Sequence, residues 1–155
     1  MSKVDFLVLS KVSANSKNGA IETLIEELDQ RGYLSDKKQF YTDVLEREAT
    51  FPTYIGNEIG LPHSQSIGVK NPCIIIGKLE KEIVWTDEDE KADLVFLIAV
   101  PKENKDNLHL KILSKLARLL MHDDFRNSIR TLEESELLNL LYTNMEEEVI
   151  NEKNA

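Results

Sequence analysis

Cysteine and histidine are scarce in this chain. Its 155 residues include one cysteine, Cys73, and three histidines. One cysteine excludes an internal disulfide, and the histidines form no HExxH pair or comparable zinc spacing, so we expect no metal site. Such sparing use of cysteine is typical of a reducing cytoplasm. Because Cys73 lies within an apolar stretch, we expect its thiol to be inert.

Basic residues and long apolar runs are also in short supply. The sequence has 28 acidic residues against 19 lysines and arginines, for a formal net charge of −9. Nucleic acids and anionic membrane surfaces attract basic proteins, so this balance argues against both as partners. The longest apolar run, residues 94–100, falls far short of the ~20 residues of a membrane span. With no secretory signal pattern either, we expect a soluble cytoplasmic protein without direct membrane insertion.

The chain contains neither an internal repeat nor a low-complexity linker, which favours a single domain over residues 1–155. A chain of ~150 residues buries roughly 70% of its unfolded surface, enough for a real core. We expect the ordered core to span about residues 4–148 and the charged C-terminal tail to fray.

Strand-like and helix-like patterns alternate along the sequence. Apolar residues three and four apart, preceded by N-capping residues, indicate helices, whereas short β-branched runs bounded by glycine and proline indicate strands. The predicted strands are 6–12, 54–61, 73–79 and 94–100, and the predicted helices are 16–32, 35–49, 106–121, 124–131 and 133–148. Strand 94–100 is apolar throughout, which predicts burial on both faces. We therefore predict an α/β fold in which helices flank a mixed β-sheet on both faces, a three-layer α/β/α arrangement.

His63 is the first candidate for a reactive side chain. It follows Pro62, which ends the predicted strand 54–61, and lies between Gly60 and Gly68. Proline fixes the backbone before the histidine and glycines permit close approach of other groups, so we predict that His63 is held at the mouth of a cleft. An ordinary surface-loop histidine is the alternative.

His109 begins the predicted helix 106–121 and shares a helical stripe with Ile112 and Leu116. One interpretation is therefore a core histidine. The other is a ligand site, because this helix follows the buried strand 94–100 and its N-terminus favours an anion. We interpret His122, at a predicted helix end, as structural.

Arg47 ends the predicted helix 35–49. An ion pair with Asp43, one turn earlier, is one interpretation. Arg47 also shares a face with Phe40 and Val44, so the pattern predicts a partly buried guanidinium that binds a carboxylate or a phosphate.

Residues 47–63, REATFPTYIGNEIGLPH, resemble the signature of the fructose/mannitol class of EIIA domains (EIIA type 2). These are phosphocarriers of the bacterial phosphoenolpyruvate-dependent sugar phosphotransferase system. The resemblance continues through VKNP at 69–72, LVFLIAVP at 94–101, HL at 109–110 and DFR at 124–126, and so covers nearly the whole chain. The chain departs from the family at Gly60, where alanine is usual, and at Ser64, where alanine or glycine is usual.

The resemblance implies that His63 becomes phosphorylated, and that His109 and Arg47 stabilise the phosphoryl group. Ser64 either donates a hydrogen bond to that group or is merely tolerated beside it. The family fold, a mixed sheet flanked by helices, agrees with the pattern prediction. No metal, nucleotide or other cofactor is implied.

The resemblance also implies partners. Domains of this class accept a phosphoryl group from the histidine of HPr and pass it to a cysteine of a cognate EIIB, and the membrane component EIIC acts later. We expect an apolar rim drawn from Phe51, Tyr54 and Ile67 to meet HPr. The net negative charge is expected to steer the encounter with a basic patch on that partner.

Other functions stay open at this point. A nitrogen-type EIIA keeps the phosphohistidine but regulates other proteins, and a non-catalytic binding module would keep only the fold. Residues 51–53 also resemble galactitol-type relatives, whereas His109 favours the fructose/mannitol side. The sugar is not readable from a domain that never touches it.

Overall fold

The chain is described by a computed structural model that covers residues 4–104 and 107–154, with side chains as far as residue 145. It divides into two compact units, Met1–Lys105 and Asp106–Ala155. Each unit is described by itself.

The first unit contains a mixed β-sheet and two helices. Its elements are β1 (Asp5–Val12), α1 (Lys17–Gln30), α2 (Lys37–Thr50), β2 (Ile59–Gly60), β3 (His63–Ser66), β4 (Cys73–Val84) and β5 (Lys91–Pro101). The strand order is β1-β4-β5-β2, and β3 also pairs with β5. β1 runs parallel to β4, β4 is antiparallel to β5, and β2 and β3 are both parallel to β5. The predicted α/β class with a mixed sheet is confirmed.

The helices begin at side-chain caps. The Ser16 hydroxyl accepts the Gly19 N–H at 3.1 Å, as expected for an N-cap, and α1 then buries an apolar stripe that includes Leu24. α2 is capped by Asp36, which accepts the Gln39 N–H at 3.1 Å, so this helix begins slightly later than predicted.

The core of this unit lies between the two helices and one face of the sheet. Residues 94–100 are buried at every position, which confirms the prediction for that strand. The alternate residues Val95, Leu97 and Ala99 pack in one cluster with the apolar faces of α1 and α2. Burying each such aliphatic side chain contributes roughly 1.5–3 kcal/mol relative to leaving it exposed. β3 pairs with β5 in this sheet and also contacts α2.

Two differences from the prediction lie next to His63. The predicted strand 54–61 is largely a turn, with positive φ at Gly56, Asn57 and Glu58, and only Ile59–Gly60 forms a strand. A bridge between Tyr54 and Gly60 closes this turn. Residues 63–66 form the strand β3, which the pattern did not predict because none of the four is aliphatic or β-branched.

The second unit consists of three helices, α3 (Leu108–Leu119), α4 (Asp123–Thr131) and α5 (Glu134–Asn154). Asn107 holds the N-cap position of α3 with a left-handed backbone (φ 55°) and no capping hydrogen bond from its side chain, while Asp106 lies outside the described residues. α5 continues to Asn154, beyond the predicted end at 148, and the fraying of the charged tail stays a prediction. Arg126 joins α3 to α4, since it donates to the Leu120 carbonyl at 2.6 Å and pairs with Asp123.

Candidate active site

His63 is the first residue of β3 and pairs in register with Ile98 of β5. The Ile98 N–H donates to the Pro62 carbonyl at 3.0 Å, so the backbone on both sides of the histidine is fixed to the sheet. Its side chain is only 6% exposed. The alternative of an ordinary surface-loop histidine is therefore wrong.

The His63 ring is oriented by its own backbone. Nδ1 lies 2.9 Å from the carbonyl oxygen of Leu61. A carbonyl can only accept, so the proton of the neutral ring resides on Nδ1 and the lone pair on Nε2. The Leu61 contact thus distinguishes the two ring nitrogens, which the sequence left undetermined.

The surroundings of His63 favour this neutral ring. Burial lowers the pKa of His63 below its ordinary 6.5, and the nearby charge of Arg47 lowers it further. The Leu61 hydrogen bond and the charge of Glu48 oppose these effects without reversing them. The ring is therefore neutral at neutral pH, the form in which an imidazole can act as a nucleophile.

Arg47 is exposed at the end of α2, so the prediction of a partly buried guanidinium is wrong. The inward stripe of α2 advances by fours through Phe40, Val44 and Glu48 instead. Nη1 of Arg47 donates to the Phe51 carbonyl at 3.3 Å, and the Phe51 N–H donates back to the Arg47 carbonyl at 3.4 Å.

The alternative ion pair of Arg47 with Asp43 is also absent from the described residues. The Asp43 carboxylate accepts the Ser66 hydroxyl at 2.6 Å and the Gln39 side-chain amide at 2.9 Å. These bonds tie α2 to β3. The Arg47 guanidinium is bonded instead to a neutral backbone carbonyl. Because no carboxylate of the described residues neutralises it there, its positive charge can bind an anion.

A polar cleft of about 390 Å³ opens beside β3. Arg47 and Ser64 line it together with Lys102, whereas His63 itself does not. We predicted that His63 lies at the mouth of a cleft. Its neighbours in β3 line this cleft, but His63 does not. The Ser64 hydroxyl donates to the Gln65 carbonyl at 3.2 Å.

The three expected rim residues differ in exposure. Phe51 and Ile67 are 69% and 67% exposed, as a docking surface for a protein requires. Tyr54 is half-buried: its ring packs against the core and its hydroxyl donates to the Lys91 carbonyl at 3.1 Å. Whether these residues contact a partner stays a prediction.

Glu48 is the residue that sequence reasoning missed. It is 5% exposed, and its carboxylate pairs with the Lys17 ammonium at 2.7 Å. The same carboxylate accepts the Thr53 N–H at 3.2 Å and the Thr53 hydroxyl. Its spacing of four and eight residues from Val44 and Phe40 was the available signal.

Gly60 has a packing role that accounts for its departure from the family pattern. A Cβ built there would lie 2.5 Å from the indole ring of Trp85, which is 2% exposed. Trp85 is thus a packing residue. Gly68 likewise permits close approach, since a Cβ there would lie 2.4 Å from the Asp36 carbonyl.

His109 lies in the second unit, as the second residue of α3, and is half-buried. Ile112 and Leu116 are buried on the same helix, as the stripe predicted. His122 is exposed at the N-cap position of α4, where its side chain makes no capping bond. Of the three residues expected to act on the phosphoryl group, the first unit therefore holds His63 and Arg47, and the second holds His109.

Metal binding, thiol chemistry and membrane insertion each have an observation in the described parts of the chain. They contain no group of three histidine, cysteine, aspartate or glutamate side chains able to hold a metal ion. Burial raises the pKa of the Cys73 thiol far above its usual range. Among the described helices, none is long and apolar enough to cross a membrane.

Comparisons with known proteins agree with the resemblance seen in the sequence. A fructose-specific EIIA component of Haloferax volcanii is 36% identical over 115 residues, covering 74% of each chain. A fructose-specific EIIABC component of Bacillus subtilis is 31% identical over 128 residues, or 82% of this chain. The present chain spans only 20% of the length of that relative.

Solved structures share the fold at lower identity. The nitrogen regulatory protein IIA-Ntr of Neisseria meningitidis superposes with a TM-score of 0.73 at 24% identity, covering 90% of this chain and 92% of its own. Mannitol enzyme IIA of Escherichia coli, in complex with phosphorylated mannitol enzyme IIB, gives 0.72 at 24% identity, with coverage of 88% and 94%.

The family model for the phosphoenolpyruvate-dependent sugar phosphotransferase system, EIIA 2, matches residues 3–144, which include both units. The chain therefore belongs to the EIIA type 2 family of the sugar phosphotransferase system.

Proposed function

We propose that this chain is a histidine phosphocarrier in which Nε2 of His63 accepts a phosphoryl group from phospho-HPr and passes it to a cognate EIIB. Family membership gives the reaction class, that of a phosphotransferase component. The observation that carries the assignment is the 2.9 Å contact between Nδ1 of His63 and the Leu61 carbonyl. This contact makes a buried, neutral imidazole into a directed nucleophile.

The transfer can be followed bond by bond. The Nε2 lone pair forms a new N–P bond, the P–N bond to the donor histidine breaks, and its electron pair returns to the donor ring. The His63 ring becomes a phosphorylated imidazolium that keeps its proton on Nδ1. The Leu61 carbonyl stabilises that N–H as positive charge develops on the ring, so the bond is stronger in the product than in the reactant.

The equatorial phosphoryl oxygens carry charge that must be met by donors. We assign this role to Arg47, whose guanidinium stands at the cleft that Ser64 also lines. The family resemblance assigns the same role to His109, and its place at the start of α3 suits an anion because a helix N-terminus presents unpaired N–H groups. Ser64 would contribute a hydroxyl if it turned from the Gln65 carbonyl.

The partners follow from the family. A mannitol relative is known in complex with phosphorylated enzyme IIB, and we propose an EIIB as acceptor, HPr as donor and an EIIC downstream. The exposed apolar side chains Phe51 and Ile67 support a surface for such protein partners. We place the chain in the cytoplasm, as one domain comprising both units. We favour fructose/mannitol-type uptake because the two relatives from Haloferax volcanii and Bacillus subtilis are fructose-specific components.

A regulatory role is the second candidate, supported by the fold shared with a nitrogen regulatory IIA protein. Both candidates use the same phosphohistidine. The two candidates differ in which phosphodonor phosphorylates the histidine and in whether an EIIB accepts the phosphoryl group from it.

A relay assay separates these functions. The chain is incubated with phosphoenolpyruvate, enzyme I and HPr, and then with a panel of fructose-, mannitol- and galactitol-type EIIB domains. We expect one phosphate per chain and its transfer to a fructose- or mannitol-type EIIB. Phosphorylation without transfer to any EIIB would favour regulation, and no phosphorylation would overturn the phosphocarrier assignment. The same assay is run on His63→Ala, which removes the proposed nucleophile. His122→Ala is its matched control, because His122 is exposed and has no proposed role in transfer.

A further inference from the structure

We propose that Glu48 is a positioning residue for His63: paired with Lys17, it fixes Thr53, and Thr53 fixes the backbone carbonyl that orients the imidazole. The inference rests on the proposed function, since it concerns how the same histidine is made ready for transfer. Glu48 touches none of the reacting atoms and acts through other groups.

The Glu48 carboxylate has a defined position. A carboxylate that is 5% exposed is costly unless it is paired and hydrogen-bonded, and the Lys17 ammonium lies 2.7 Å away. Lys17 is itself held, because it donates to the Trp85 carbonyl at 3.1 Å and lies 5.0 Å from the centroid of the Trp85 ring. Lys17, at the start of α1, thus connects Glu48, near the end of α2, to Trp85, the residue directly after β4.

Thr53 is bound on both sides. Its N–H lies 3.2 Å from each Glu48 oxygen, and its hydroxyl also donates to that carboxylate. Its carbonyl accepts the Leu61 N–H at 2.8 Å and the indole N–H of Trp85 at 3.1 Å. Every polar group of this residue is therefore used to connect Glu48 to Leu61.

Leu61 completes the connection. Its N–H is the one bound by Thr53, and its carbonyl accepts Nδ1–H of His63 at 2.9 Å. Three successive links, from Glu48 to Thr53, to Leu61 and to the imidazole, therefore lead from the buried ion pair to the nucleophile.

The same loop also receives Arg47. The guanidinium donates to the Phe51 carbonyl, two residues before Thr53, and Arg47 directly precedes Glu48 in α2. A shift of Thr53 would therefore move the nucleophile and the phosphoryl-binding cation together. A misplacement of about 1 Å costs on the order of 100-fold in rate when reacting groups must be aligned.

Three variants test the proposal. Glu48→Gln keeps the shape of the side chain but removes the charge that holds Lys17, and Thr53→Val removes the hydroxyl while keeping the ion pair. Glu26→Gln is the matched control, because Glu26 forms an exposed ion pair with Lys37, at 2.8 Å, on the surface of the first unit. The folded fraction of each variant is measured by urea unfolding, so that rates refer to folded protein.

Two readouts are compared. With phospho-HPr as donor, we expect kcat in Glu48→Gln to fall by about 10- to 100-fold, KM to stay within about twofold, and Glu26→Gln to match the parent. In the ¹⁵N spectrum of the imidazole, we expect the parent to show one tautomer, protonated on Nδ1, and Glu48→Gln to show a mixture. Thr53→Val should change both readouts in the same direction, and Thr53→Ser should restore them.

Unchanged kcat and an unchanged tautomer in Glu48→Gln would overturn the proposal; should that variant not fold, Thr53→Val decides in the same way. The tautomer readout needs no phosphodonor. If the parent chain accepted no phosphate, the proposed function would fail, while the spectrum would still show whether Glu48 orients His63.

Discussion

The Nδ1 atom of His63 lies 2.9 Å from the carbonyl oxygen of Leu61, two residues earlier in the chain. A histidine that begins a strand and donates to the backbone just before it has one nitrogen committed to structure. The other nitrogen carries the lone pair. The chemistry assigned to this chain follows from that division of the ring.

The first prediction concerns pH. Because burial lowers the pKa of His63, its imidazole should titrate below 6.5, and phosphorylation should be insensitive to pH near 7 and slow under acidic conditions. The unfolded chain binds a proton at this position more readily, so His63 also costs the folded state stability as pH falls from 6.5 through the folded pKa. NMR titration of the ring, with the signal assigned by its loss in His63→Gln, measures this directly. A midpoint above 6.5 would contradict the prediction.

The second prediction concerns Arg47. Because its side chain is exposed and has no carboxylate partner among the described residues, Arg47→Ala should change the free energy of unfolding by no more than about 0.5 kcal/mol. Phosphoryl transfer should slow by on the order of 100-fold, since a donor to the transferring group is lost. Arg47→Lys should recover part of the rate through its charge but not the planar guanidinium geometry.

The control for Arg47 is Arg31→Ala, which removes an exposed arginine at the C-cap of α1 that pairs with Glu27. Its transfer rate should equal that of the parent chain. A loss of several kcal/mol of stability in Arg47→Ala, measured by urea unfolding, would instead show a structural role.

The third prediction concerns Gly60. The family-typical alanine should destabilise this chain by roughly 1–3 kcal/mol, because its Cβ would overlap the Trp85 indole. Removing the ring overlap in Trp85→Leu should make the same substitution nearly neutral. A double-mutant cycle in urea measures the coupling between the two positions, and additive effects would mean that the overlap is relieved elsewhere.

Much of the fold was predictable because its signals are local. The cap at Ser16 and the stripe of α1 depend on neighbours within one helix, and strand 94–100 is apolar at each position. β3 was not predictable in this way, since a strand of histidine, glutamine and two serines exists only through its pairing with β5. The turn at 56–58 likewise depends on positive φ angles that include Glu58, a residue with no intrinsic preference for them.

The site was predicted in part. Proline before His63 and the family signature indicated the candidate nucleophile, and the structure adds that Nδ1 of its ring is bound to the Leu61 carbonyl. The prediction that Arg47 is partly buried was wrong for a geometric reason. From Val44, a step of three residues along the helix reaches Arg47 and a step of four reaches Glu48, and the buried face follows the step of four. Which of two adjacent charged residues is buried depends on whether an oppositely charged side chain lies in the interior to pair with it. For Glu48 that side chain is Lys17, which is distant in the sequence, so the pattern within α2 could not show it.

The most direct measurement of the central claim is the position of the phosphoryl group on the protein. After incubation with phosphoenolpyruvate, enzyme I and HPr, the intact mass and the ¹⁵N-detected coupling to phosphorus are recorded for the parent chain and for His63→Ala. The account predicts a single phosphate, bound to Nε2 of His63, and none on the variant. A phosphate on Nδ1, or one retained by His63→Ala, would contradict it.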